Sequence, residues 1–167
     1  MSDVGFSAKL PMTNLTTGAT LSGWNVSSPF YSGTGFNNTT GKYTVPATGR
    51  YSIKATVNYS TTAAITISQG AGVDPAFVIR STNNGDMITG QLPVLNVNVA
   101  LVLTLRTILG SATVTLDGEV DLMQGDVIEL VYVPDGLTIP INVGGNSNQG
   151  VVWSIHQMTE AQGNNIP

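Results

Sequence analysis

The chain contains no cysteine, a single histidine and little charge. Without Cys it has no disulfide scaffold, no thiol nucleophile and no thiolate zinc site, although the compartment stays open. Charged residues make up 10% of the 167 positions, against roughly a quarter in ordinary soluble proteins. The surface is therefore built of Thr, Ser and Asn, or is partly covered in an oligomer. Ten acidic residues against six basic ones give a net charge of −4 and a pI near 4.6. No basic patch is left to neutralise a phosphate backbone, which argues against nucleic acid as a partner. The N-terminus also lacks a basic stretch followed by an apolar one, so no Sec signal peptide is expected. Leu92 to Leu109 is apolar enough to suggest a membrane span, but Asn96, Asn98, Thr104 and Arg106 interrupt it. Its apolar residues alternate, which makes it a strand and not a transmembrane helix.

What the chain does have is period-two hydrophobicity. Tyr51, Ile53, Ala55, Val57 and Tyr59 fall on one face of an extended segment, and Ser52, Lys54, Thr56, Asn58 and Ser60 on the other. Upstream, Tyr43 and Val45 form a shorter strand that Pro46 stops, with Gly49 reopening the chain after the corner. From Leu95 to Arg106 the odd positions are all apolar, and the run is long enough to require a bend or bulge. Ala63 to Ile67, Phe77 to Arg80, Ala112 to Leu116, Val127 to Val133 and Val151 to Ile155 are further β-branched runs bounded by turn residues. Asn84-Gly85 marks a hairpin, because a tight turn needs the positive φ that these residues tolerate. Gly70, Gly72, Gly110, Gly118, Gly125, Gly136 and Gly144-Gly145 are expected to punctuate the remainder. Many short strands, no helical periodicity and no fixed repeat predict one all-β domain, a sandwich or barrel, over residues 1–158. Residues 159–167 read as a flexible tail.

Three motifs stand in order along this pattern. Phe36, six residues, Tyr43, five residues, then Gly49-x-Tyr51-x-Ile53 is similar to part of the aromatic signature of C1q-type domains. Leu122-x-x-Gly125-Asp126-x-Ile128-x-Leu130 resembles that family's Gly-Asp turn and following strand, and Trp153 to Met158 resembles its closing strand. The chain thus resembles the C1q/tumour-necrosis-factor superfamily over nearly its whole length. Asn25, Tyr31, Ile53 and Ala55 depart from the signature, and residues 86–110 have no clear counterpart.

The resemblance implies a jelly roll of about ten strands in two sheets, assembled as a compact homotrimer through the inner sheet. On that basis Lys54, Thr56 and Asn58, the valines Val127, Val131 and Val133, and Trp153 and His156 of the closing strand are the candidate subunit contacts. A three-fold cluster of His156 would couple trimer stability to pH.

Evidence of catalysis is lacking. No Gly-x-Ser-x-Gly elbow and no His-Glu-x-x-His accompanies His156, so a structural or interface role suits it better. Asp74, Asp86, Asp117, Asp121, Asp126 and Asp135 lie in or beside turns and offer oxygen ligands for Ca²⁺, as in some members of the resembled family, but no Asp-x-Asp-x-Asp-Gly loop is present. Turn capping is the better reading, with Asp126 capping the Gly125 turn. No other cofactor is expected. Trp24, Phe30 and Tyr31 could form a sugar-stacking platform or pack beneath a loop. Arg80 and Arg106, isolated in apolar strands, are expected to pair with carboxylates or carbonyls. Five Asn-x-Ser/Thr sequons arise by chance in so Thr- and Asn-rich a chain.

The expected function is a non-enzymatic homotrimeric module on a bacterial cell or spore surface. It would act by multivalent display or adhesion towards a cell-surface or glycan ligand. The alternative is the trimeric receptor-binding head of a phage or virion fibre.

Overall fold

The structure, a computed structural model, describes residues 3–61, 66–67, 74–99, 103–108, 111–137, 140–143 and 150–160. Among these residues fifteen strands follow one another: β1 (Gly5–Leu10), β2 (Thr13–Leu15), β3 (Ala19–Thr20), β4 (Phe36–Asn37), β5 (Lys42–Thr44), β6 (Gly49–Thr61), β7 (Thr66–Ile67) and β8 (Ala76–Ser81). The second half holds β9 (Gly85–Gln91), β10 (Val94–Val99), β11 (Leu103–Ile108), β12 (Ser111–Leu122), β13 (Val127–Val133), β14 (Ile141–Val143) and β15 (Val151–Glu160). All pairings are antiparallel. Among the described residues no helix is long and apolar enough to cross a membrane.

Twelve strands form two sheets of six. The first runs β1-β15-β6 with β12 on the far edge of β6, and it continues through β14 to β2. The second runs β4-β5-β13-β8-β9, with β3 also on β13. Strand β6 is the spine of the first sheet, pairing with β12 from Gly49 to Ser60 and with β15 from Gly49 to Val57. Its alternation is the one its sequence dictates: Tyr51, Ile53, Ala55, Val57 and Tyr59 are buried, whereas Lys54 and Thr56 are exposed. Pairing of β8 and β9 starts at Ser81 opposite Gly85, whose φ of 76° is the left-handed conformation expected of the Asn84-Gly85 turn.

Between the sheets lies one aromatic-rich core. Phe6 of β1 stacks on Phe36 of β4 with ring centroids 3.8 Å apart, and Trp153 of β15 meets Phe6 edge-on at 4.9 Å. Trp24 tilts against Trp153 at 5.4 Å and donates its indole N–H to the Leu21 carbonyl. Burying rings of this size supplies much of the driving force for closing the sandwich. Among the described residues, the Tyr43 and Tyr132 hydroxyls and the Trp153 Nε1 lie inside without a hydrogen-bond partner. Burial pushes the Tyr132 phenol up to about 12, and it raises Tyr43 further, with Tyr51 adding to the effect.

Four expectations need correction. The run from Leu95 to Arg106 is not one bent strand: β10 and β11 pair antiparallel, with Val99 opposite Leu103 and Val94 opposite Ile108. With β7 they make a separate three-stranded sheet. Gly118 does not break the chain but lies within β12, where an added Cβ would come within 2.8 Å of Ile88 on β9. Glycine there lets the first sheet approach the second closely. Strand β13 belongs to the second sheet, not to the sheet that holds β6 and β15. Finally, β15 reaches Glu160, so positions 159 and 160 are strand. Positions 161–167, 63–65 and Gly70, Gly72, Gly110, Gly144 and Gly145 lie outside the described residues.

Candidate interaction face

The outward face of the first sheet is made by residues that alternate with its core. Cross-strand rows run Asp117–Lys54–Ser154–Ser7 and Thr115–Thr56–Val152–Lys9 from β12 through β6 and β15 to β1. A third row holds Glu119, Ser52 and His156. Most of this face is Ser, Thr and charge, yet Val152 is 38% exposed at its centre. Met158, at the bulge where the β15–β6 register shifts, is 46% exposed. Tyr31, 45% exposed, belongs to the segment that covers the outer edge of β1, where Ser7 bridges Tyr31 and Lys9 bridges Asn25. Its hydroxyl lies 3.3 Å from the Nδ1 of His156. Three large exposed side chains, Val152, Met158 and Tyr31, thus share one sheet face with a half-buried histidine.

The residues expected to form a subunit contact are divided between surfaces. Lys54, Thr56 and His156 share this face. Asn58 shares it too, but its amide is engaged within the chain, donating to the Gly150 carbonyl at 3.2 Å and accepting from the Thr113 hydroxyl at 2.7 Å. Trp153 is fully buried in the core of a single chain, so its side chain has no surface to offer a neighbour. Its partners on β15 alternate outward, and parity along the strand alone excludes it. Val127, Val131 and Val133 are on β13 in the opposite sheet, and one planar contact cannot hold them together with Lys54. Val131 and Val133, with Gly18, Thr20 and Arg80, line a shallow cavity of about 360 Å³ on that side.

Charge is treated differently on the two sheets. On the second, Lys42 of β5 pairs with Glu129 of β13 at 3.5 Å, and Arg80 of β8 pairs with Asp86 of β9. That pairing fulfils the expectation for Arg80, and the hydrogen bond to Asp86 raises its pKa. Arg106 lies in a segment whose side chains are outside the described residues. On the first sheet Arg50 and Asp121 pair at 3.1 Å near one end, whereas Lys9, Lys54, Asp117 and Glu119 form no ion pair among the described residues.

The aspartates do not assemble a metal site: among the described residues no three His, Asp or Glu side chains converge. Asp126 caps its turn as expected, its Oδ2 accepting the Met123 N–H at 3.0 Å and its Oδ1 the Asn83 amide at 2.8 Å. Asn84 adds a third donor at 3.3 Å. The bond from Asn83 is the largest influence holding this carboxyl below its ordinary pKa; desolvation opposes it, and the Met123 and Asn84 bonds reinforce it. Nor can Trp24 stack on a sugar, since it is buried against Trp153. Sequence reading missed Val152, Met158 and Tyr31 as a group, because the bulge that exposes Met158 and the loop that carries Tyr31 are products of tertiary structure.

Two six-stranded antiparallel sheets in this order define a C1q/TNF-like jelly roll, and solved structures share it. Eiger TNF from S. frugiperda superposes with a TM-score of 0.62 at 11% identity, covering 98% of each chain. The globular domain of zebrafish complement 1qA covers 94% of this chain and 98% of its own at a TM-score of 0.52 and 14% identity. Murine APRIL gives 0.54 at 11% identity over 92% of this chain and 98% of its own. No protein-family model matches the chain, and no curated protein matches it in sequence. At these identities the likeness establishes the fold.

Proposed function

We propose that the chain is a non-enzymatic, self-associating binding module whose three copies meet through the outward face of the first sheet. The observation that carries this reading is the exposure of Val152, Met158 and Tyr31 on one sheet face, whereas the other exposed large apolar side chains among the described residues, Met12 and Met123, lie in connections between strands. An apolar centre within a Ser- and Thr-rich rim is the composition of a protein contact. The low charge of the chain fits a surface that is partly covered. Trimerisation would convert weak single-site binding of a polyvalent cell-surface or glycan ligand into avidity. Display on a bacterial cell or spore surface is the setting in which such a module works.

Placing a charge at the centre of the face tests the reading. Val152→Glu is expected to shift the protein from trimer to monomer in light scattering at micromolar concentration, because an unpaired carboxylate buried in a contact costs several kcal/mol. Met123→Glu, in the exposed turn between β12 and β13, should leave the mass unchanged. A Val152→Glu protein with the same mass as its parent would move the contact elsewhere.

A further inference from the structure

The ion pairs of the second sheet are closed within the chain, whereas four charges on the first sheet are left open, and the open charges are segregated. Asp117 and Glu119 lie on β12 at one edge of the outward face. Lys9, half-buried, lies on β1 at the opposite side of the face, with the segment that carries Asn25 bridged beyond it. Three strand spacings separate β12 from β1, about 14 Å, so these charges cannot neutralise one another within one copy. Register places Lys54 beside Asp117, and even this pair stays without an ion-pair contact among the described residues.

A face that is acidic at one edge and basic at the other is complementary to itself when copies are placed head to tail. Resting on the self-association proposed above, we infer that the acidic pair Asp117 and Glu119 of one copy docks against Lys9 of the next. Such a contact is heterologous, with donor and acceptor edges on every chain, and it closes into a ring after three steps. Charge thereby fixes the sense in which neighbours follow one another, while Val152, Met158 and Tyr31 supply the apolar contact between the edges. Acidic residues on an edge strand also deter uncontrolled strand pairing, the competing role for the same side chains.

Charge exchange separates these roles. Lys9→Glu and Glu119→Lys alone are each expected to raise the concentration for half-dissociation of the trimer at least tenfold in sedimentation equilibrium at low salt. The double variant K9E/E119K, which reverses the Lys9–Glu119 pair while Asp117 keeps its sign, should half-dissociate at a lower concentration than either single variant, recovering at least part of the parental affinity, and added NaCl should shrink all three differences. Circular dichroism verifies the fold of each protein, and Lys9→Gln with Glu119→Gln replaces any charge reversal that does not fold, with weakening again expected. Single variants that dissociate at the parental concentration overturn the inference but leave the trimer intact as a reading. So does a double variant that stays as weak as the singles. Precipitation of Glu119→Lys with an undiminished trimer assigns the acids to edge protection and also overturns it. A monomeric parent protein removes the underlying reading itself.

Discussion

Replacing Trp153 with alanine is expected to cost about 3–5 kcal/mol of folding stability, the range for deleting a large aromatic from a packed core. The ring touches three others from three segments: Phe6 on β1, Trp24 in the loop after β3 and Phe36 on β4. No single neighbour can move in to fill the space, so the cavity remains and the loss falls at the upper end. In a chain of this length the melting temperature should drop by about 10 °C or more. Trp153→Phe should cost much less, because phenylalanine keeps most of the contact and removes an indole N–H that has no partner among the described residues. Urea titration of the three proteins measures the ranking. A Trp153→Ala protein that keeps parental stability but loses its self-association would return Trp153 to the subunit contact and contradict its place in the core.

The second large effect belongs to Asp126. Asp126→Ala should destabilise by about 2–3 kcal/mol at neutral pH, since it strands the Met123 N–H and the amides of Asn83 and Asn84 around a buried position. The loss should also depend on pH in a defined direction. The folded carboxyl has a lowered pKa, so its contribution is fully present above the unfolded value near 4 and disappears as pH falls through the folded value. Parent and variant should therefore differ most at neutral pH and converge in acid. Urea midpoints across pH 2–7 measure this, and a gap that stays constant down to pH 2 would show that the carboxylate charge contributes nothing.

Strand β6 and the turn at Gly125-Asp126 were legible because local chemistry determines both. A strict two-residue period has only one buried face to choose. A Gly-Asp turn needs its own backbone conformation and cap. The hairpin of β10 and β11 was hidden for an equally physical reason. Its paired positions, such as Val97 with Leu105, are both odd-numbered, so the apolar alternation continues unbroken through the reversal. Ala100-Leu101-Val102 contains none of the Gly, Pro, Asn or Asp that would announce a turn. The placement of β13 failed differently. A run apolar on both sides reports burial, but burial does not say in which sheet the strand lies. Three of the eight candidate contact residues, Val127, Val131 and Val133, therefore lie on the other side of the sandwich, while Lys54, Thr56 and His156, fixed by alternation, share the face on which Val152 is exposed.

Native mass spectrometry of the unmodified protein at micromolar concentration tests the central claim of self-association most directly. A dominant species of three times the 17.4 kDa chain mass is the expected result. A protein that stays at one chain mass under those conditions would contradict it.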